Sequence, residues 1–306
     1  MDVSIVIVNY NTKQLTTDCI DSIVKYTDGI EYEIILVDNA STDGSREHFA
    51  QDTRIKFIPS SENIGFGRAN NKGLEVATGK YVFFLNSDTY LLGNAIKKLY
   101  DFAEGHQGLN IGEIGVMLID KQGKINKPYS ELPDANPFKT IMNKMGIGSD
   151  AHKVIEKKLS LKGYAEVGFI CGADVFAPKR VLDRIGAFDP NIFMFAEEID
   201  LAKRMERNGY SRVVIDNSEI VHLGSSSFTK EKLLFKKYYW STLGVSIYGN
   251  NHFKGIQLLW YRMFRLVMLV RDVYIKKSVQ CDARQRRKLV NTLFRSDIRF
   301  EDYFDE

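Results

Sequence analysis

Val3–Asn11 reads VSIVIVNYN, and its first six residues are apolar and mostly β-branched, broken only by Ser4. A strand with one wet face alternates apolar and polar residues. A run that stays apolar is covered on both faces, as in a parallel sheet with helices above and below. Working outward, Ile34–Val37, Ile55–Ile58 and Tyr81–Leu85 repeat the pattern as further strands. Between them the period changes. Leu15, Cys19, Ile20, Ile23 and Val24 recur at helical spacing over Leu15–Tyr26, with Thr12 as the expected cap. Thr42 and Asp43 open a short helix ending near Gln51, Gly79 closes one through Leu74 and Val76, and another spans Gly93–Phe102. Strand–helix alternation at this spacing predicts βαβ units, hence an α/β fold with a mostly parallel sheet flanked by helices.

Downstream the pattern loosens from about Gly105 to Gly163, where Asp120–Gly123 reads as a hairpin turn and Pro128–Pro137 as a surface loop. Regular structure returns with Val167–Ala177, a helix after Pro178 and a helix over Glu198–Arg207 closed by Asn208-Gly209. Two short strands follow, Arg212–Ile215 and Glu219–Val221. The chain divides into a body, residues 1–227, and a basic, aromatic-containing helical extension, residues 228–306, which holds Trp240, Trp260 and Tyr238-Tyr239.

With 306 residues, 44% hydrophobic and 26% charged, the composition is that of an ordinary soluble globular protein. Cys19, Cys171 and Cys281 stand apart, giving neither a disulfide framework nor a zinc site. No basic leader precedes the first apolar run, so no signal peptide is expected. The net charge of +3 hides an asymmetry: Thr229–Arg295 carries 15 Lys and Arg against 3 Asp and Glu, and the remainder 27 against 36. Such a segment favours anionic partners. Its most apolar stretch, Ile256–Val270, is interrupted by Arg262 and Arg265 and falls short of the ~20 apolar residues of a spanning helix. Cations beside Trp and Tyr suit the face of an anionic membrane. No nucleic-acid-binding motif accompanies the charge. The plain alternative is a solvated appendage or an oligomer contact.

In open α/β sheets ligands bind outside the carboxyl ends of the strands. Here those ends are polar in succession: Asn9-Tyr10-Asn11, Asp38-Asn39-Ala40-Ser41, then Ser60, Ser61 and Asn63, and Asn86-Ser87-Asp88-Thr89. Turn chemistry accounts for any one of these sites, but less easily for four. There is no GxxxxGK[ST] loop, and Gly65-Phe66-Gly67 lacks the third glycine of a dinucleotide fingerprint. Diphosphate binding then calls for a metal, with oxygen ligands around Asp88.

Together with VSIVIVNYN, the stretches LVDNASTDGS (Leu36–Ser45), NIGFGRANN (Asn63–Asn71) and FLNSDT (Phe84–Thr89) resemble inverting family-two glycosyltransferases of the GT-A fold. Gly172-Ala173, GAFD (Gly186–Asp189), FMFAEEIDL (Phe193–Leu201) and VHLGSS (Val221–Ser226) continue the series in order, over roughly residues 3–227. The series is most similar to the rhamnosyltransferase-type subgroup of bacterial cell-surface polysaccharide synthesis.

The resemblance implies roles. Asp38 matches the acid that bonds the donor's pyrimidine base, with Asn9, Tyr10, Asn11 and Ser41 lining that pocket. Asn63, Gly65, Asn70 and Ser87 match the strip beside ribose and diphosphate. Asp88 matches the last acid of the DxD metal motif, whose first acid is here Asn86, and His222 a histidine that completes the metal shell. Glu197-Glu198 matches the Glu-Asp pair whose second member is the general base, which makes Glu198 the first choice and Glu197 the reserve. Phe195 and Asp200 fall on the sugar and acceptor side, with Asp174 contacting a sugar or capping a turn.

The chemistry accounts for these residue types. Inversion at an anomeric carbon is one displacement by an acceptor hydroxyl. It needs a carboxylate to take the proton and positive charge, Mg²⁺ or Mn²⁺, on the departing diphosphate. The implied donor is a dTDP- or UDP-sugar and the acceptor a glycan or polyprenyl-linked sugar. The implied location is cytoplasmic, peripheral at the inner face of the plasma membrane. Glu197, Glu198 and Asp200 also read as ordinary first-turn acids, and His222 as a structural histidine. A nucleotidyltransferase, which would want a Gly-rich basic loop near the first strand, and a non-catalytic sugar-binding relative are the other readings.

Overall fold

The computed structural model describes residues 1–126, 128–133, 151–224, 234–276, 279 and 281–304. The expected strands form β1 (Val3–Asn9), β2 (Tyr32–Asp38), β3 (Ile55–Pro59) and β4 (Tyr81–Asn86), parallel in the order β3-β2-β1-β4. Helices α1 (Lys13–Tyr26), α2 (Ser45–Phe49) and α3 (Phe66–Glu75) connect them.

The apolar run of β1 divides as the pleat requires. Val3, Ile5 and Ile7 pack with Cys19, Ile20 and Ile23 of α1 on one face, and Val6 joins Ile35, Val82 and Phe84 on the other. Both faces are therefore dry, as the missing alternation predicted. On α3, Gly73 meets Val6 so closely that a Cβ there would stand 2.3 Å from its Cγ1. Glycine thus sets how near that helix lies to the sheet.

After β5 (Thr89–Leu91) and α4 (Ala95–Gly105), the sheet is completed by β6 (Ile111–Ile119), β11 (Asp174–Pro178) and β12 (Ser211–His222), in the order β4-β11-β6-β12-β5. Strand β11 is antiparallel to β4 and β6, whereas β12 is parallel to β6. Small strands β7 (Ile125–Asn126), β8 (Tyr129–Ser130), β9 (Tyr164–Glu166) and β10 (Phe169–Ile170) border it. Asp120–Gly123 does turn a hairpin between β6 and β7. The two short strands expected after Gly209 are instead the single β12, whose register against β6 shifts between Val214 and Glu219. That irregularity, with exposed Asp216 and Asn217, made one strand read as two.

Helices α5 (Ala151–Lys162), α6 (Lys179–Ile185) and α7 (Glu197–Arg207) cover the sheet, and α8 (Leu234–His252), α9 (Gly255–Val270) and α10 (Ala283–Phe294) form the C-terminal part. The reading of that part as a solvated appendage fails. Tyr239, Trp240, Leu243, Leu269 and Leu289 are buried in one cluster with Ile192 and Phe193, which precede α7. The Pro128–Pro137 loop beyond Pro133 and the start of the basic segment at Phe228 lie outside the described residues.

Candidate functional site

The register of the parallel strands sets Asn9 beside Asp38 and Val8 beside Asn86, so three polar strand ends meet at one edge. Asn9 organises it. Its amide nitrogen donates to Asp38 Oδ1 at 2.7 Å and Ser41 Oγ at 2.9 Å, and its oxygen accepts from Thr12 at 2.9 Å and Thr16 at 2.8 Å. Thr12 therefore precedes α1 without capping it by its side chain, because its hydroxyl is turned to Asn9. Asp38 is fully buried, and its second oxygen accepts from Ser41 N at 3.2 Å. Tyr10, 40% exposed, and Asn11 are open to solvent beside it. Asn11 takes a left-handed φ of 54° and accepts from Thr42 N at 2.7 Å, tying the loop after β1 to the loop after β2.

A second polar lattice supports the NIGFG turn. Asn39 Nδ2 donates to Asn63 Oδ1 at 2.9 Å, and the same oxygen accepts from Gly65 N at 3.0 Å. At Gly65 (φ 80°) a Cβ would stand 2.6 Å from Phe193 O, so only glycine allows this approach. Asn70 is buried, and its side-chain nitrogen donates to Phe66 O within α3 at 3.1 Å. Ser87 Oγ is 3.1 Å from Thr12 Oγ1.

Asp88 and His222 come together across the sheet. Strand β12 pairs His222 with Thr89, and His222 Nε2 lies 3.4 Å from Asp88 Oδ1. Among the described residues no third His, Cys, Asp or Glu joins them as a metal group. Two protein ligands still fit a divalent ion that keeps water and substrate phosphate in its shell. Asn86 Oδ1, two residues from Asp88, is buried with no hydrogen-bond partner among the described residues, an acceptor that a ligand could satisfy.

The acidic turn is reached through strain. Phe195 (φ 67°) and Ala196 (φ 111°) are both left-handed without being glycine, a cost of about 1–3 kcal/mol each that packing must offset. Phe195 is partly buried against the C-terminal cluster. Glu197 and Glu198 follow at the start of α7. Glu197 is buried, its Oε2 without a partner among the described residues, whereas Glu198 remains partly exposed. Burial raises both carboxyls above their usual range, and for Glu197 the charge of Glu198 adds to it. The chain itself links Glu198 to the strand edge: Asn86 N donates to Ala173 O at 3.0 Å, and a Cβ on neighbouring Gly172 would stand 3.8 Å from Glu198 Cβ.

Of two residues expected on the sugar side, Asp200 is engaged through both carboxylate oxygens and Asp174 through one. Asp200 is buried, with Oδ2 accepting from Arg204 Nε and Oδ1 paired with His252 Nε2, each at 2.8 Å. It ties α7 to α8. Asp174 is likewise fully buried within β11. Its Oδ2 accepts from Val116 N at 2.7 Å, while its Oδ1 is buried without a partner among the described residues.

Sequence reading missed Arg204, Asn71 and Glu113. Arg204 donates to the carbonyls of Ile185, Gly186 and Ala187, while Asn71 brackets Phe188 through both backbone groups. Together they clamp the GAFD loop between α3 and α7. The signal was present for Asn71 inside a quoted motif, but Arg204 looked like a solvated helix residue.

Glu113, opposite Arg212 in the β6–β12 register, accepts from Ile170 N at 3.3 Å, and burial pushes its carboxyl up to about 8. An acid raised in the folded state contributes stability at low pH that is lost as pH rises, here from about 4.5 towards about 8. Glu113→Gln, which keeps the acceptor oxygen, should flatten that slope. Thermal unfolding should show it more stable than the native chain at the alkaline end, by on the order of a few kcal/mol.

Residues 4–160 match the family described as Glycosyl transferase family 2. The chain belongs to that family. Among curated relatives, a poly(ribitol-phosphate) beta-glucosyltransferase of Bacillus spizizenii is 35% identical over 121 residues, covering 37% of this chain and 19% of that protein. An N-acetylglucosaminyl-diphospho-decaprenol L-rhamnosyltransferase of Mycobacterium tuberculosis is 21% identical, covering 62% of this chain and 66% of its own. The chain thus spans a fifth to two thirds of the length of these curated relatives. The crystal structure of Staphylococcus aureus TarS 1-349 in complex with UDP-GlcNAc superposes with a TM-score of 0.57 at 14% identity, over 95% of this chain and 79% of that one. That likeness shows the GT-A fold of this family-2 chain. None of its described helices is long and apolar enough to cross a membrane.

Proposed function

We propose that the protein is an inverting glycosyltransferase. It moves a sugar from a pyrimidine nucleotide-diphosphate donor to a hydroxyl of a glycan or polyprenyl-linked acceptor in cell-surface polysaccharide synthesis. The observation that carries this reading is the contact chain Asn86–Ala173–Gly172–Glu198, which sets a partly open carboxylate beside the polar strand ends. Glu198 takes the proton of the acceptor hydroxyl as its oxygen bonds the anomeric carbon, and the bond to the diphosphate breaks. Asp88 and His222 would hold Mg²⁺ or Mn²⁺, which supplies positive charge to the leaving diphosphate. The loops carrying Tyr10, Asn11 and Ser41 hold the base above Asp38. Rhamnose from a dTDP donor is the first reading of the sugar, in line with the name of the mycobacterial relative. A UDP-hexose or UDP-N-acetylhexosamine donor is the second, favoured by the UDP-GlcNAc complex of TarS. A lipid-linked acceptor places the reaction on the cytoplasmic face of the membrane, with the protein attached peripherally.

Calorimetric titration with dTDP and with UDP, each with Mn²⁺, Mg²⁺ or chelator, tests this. The native chain is expected to bind one nucleotide more tightly with metal, and Asp88→Ala to lose about tenfold or more of that gain. Folded protein that binds neither nucleotide rejects the reading.

A further inference from the structure

Helix α9 is built inside out. A surface helix normally turns charged residues to water and apolar ones inward. Here Arg262 is folded inward, its Nη2 donating to Asn250 Oδ1 at 2.9 Å and to Arg295 O at 3.1 Å. The Nε atoms of Arg262 and Arg265 are both buried. Tyr261 and Leu269 fill the buried face. The exposed face instead holds Ile256, Leu259, Trp260, Met263, Val267 and Val270, with 64% of Ile256, 51% of Trp260 and 62% of Val267 open. At 100° per residue these positions fall within an arc about 100° wide that contains no charged side chain. Tyr274 and Ile275, just beyond the helix, are exposed as well, Ile275 at 73%. Scattered exposed apolar residues are ordinary, but a continuous face of this kind marks a binding surface.

The charges around this face indicate what covers it. Exposed Lys254 and Lys276 stand at its two ends, and Arg284 and Arg287 of α10 are exposed as well. From Lys254 to Lys288 the sequence holds ten Lys and Arg against two Asp. Two copies joined through this face would bring like-charged rims together. Anionic lipid head groups complement the rim while the acyl region takes the apolar side chains.

We propose that the outer face of α9 is a membrane-docking surface that lies in the interface of an anionic bilayer, with Trp260 along one edge of it. This deepens the peripheral attachment proposed above. It also connects attachment to the site, because Tyr261 on the opposite side of α9 packs in one cluster with Ala196 and Ile199 at the start of α7. The bilayer would then lie one helix thickness, ~10 Å, from that cluster.

Flotation with phosphatidylcholine vesicles, with or without phosphatidylglycerol, tests the proposal directly. The native chain is expected to float with the anionic vesicles and to show a blue-shifted tryptophan emission. A Leu259→Glu, Val267→Glu double variant should lose that binding by more than about tenfold. Both substitutions are on the surface, so circular dichroism and nucleotide titration should match the native chain. Because nucleotide titration is read separately, failure of docking is distinguishable from failure of the transferase reading. Absence of vesicle binding, or binding unchanged in the variant, overturns the proposal. So does a native dimer in sedimentation that the same substitutions dissociate, which would assign the face to a second copy of the chain.

Discussion

Glu198→Gln is expected to lower turnover by on the order of 10³-fold while leaving nucleotide affinity unchanged. The amide keeps the size of the carboxylate and can still accept a hydrogen bond, but it cannot take a proton from the acceptor. Burial raises the Glu198 carboxyl, and a base must be ionised to act. Turnover should therefore rise with pH to a midpoint above the ~4.3 of an ordinary glutamate. The companion Glu197→Gln separates the two neighbours. Glu197 is closed off from solvent, so its replacement should cost far less turnover. If Glu197→Gln abolishes turnover and Glu198→Gln does not, the base is Glu197. If both retain turnover, the acidic turn is not the catalytic one.

The second large effect is on stability. Asp200→Ala should destabilise the fold by about 2–4 kcal/mol, read as a lowered midpoint of thermal unfolding. Removing one member of a buried ion pair leaves its partners without compensation, although Arg204, with 23% of its side chain exposed, recovers some solvation. Burial by itself would raise the Asp200 carboxyl, but hydrogen bonds from His252 and Arg204 together with their charge outweigh it and hold it below its usual range. The sign of the pH dependence follows. A carboxyl depressed in the folded state stabilises above its unfolded value, near 4, and that contribution fades as pH falls through the folded one. The gap between native and variant should accordingly be full at neutral pH and narrow as pH falls below the unfolded value, near 4. A gap that stays constant with pH would mean that lost packing, not the ion pair, carries the effect.

These residues also show how far the sequence could be read. The sheet was legible because Val3, Ile5 and Ile7 on one face and Val6 on the other leave Ser4 as the single polar break before Asn9. Asp88 and His222 were legible as a pair only through the ordered motifs. Their meeting depends on the β5–β12 register, which no local pattern encodes. Asp200 misled because its partner His252 lies 52 residues downstream, where nothing in either neighbourhood announces the contact. Arg262 and Arg265 misled in the same way. On a helical projection they interrupt an apolar stretch, and only the tertiary partners Asn250 Oδ1 and Arg295 O show that Arg262 turns inward. Strand β12 was split in reading because solvent-facing residues at a register shift resemble a turn.

The left-handed turn before Glu197 is backed by α8 at a single glycine. A Cβ on Gly244 would stand 2.0 Å from Phe195 O and 3.2 Å from Ala196 Cβ. The strained turn and its backing therefore come from opposite sides of the boundary near residue 227, and neither half supplies the shape alone. Chimeras that exchange C-terminal halves between relatives to change acceptor choice would have to carry a small residue at this crossing. Truncation before α8 would release the turn before it removed any acid, so a shortened chain could bind donor and still be silent.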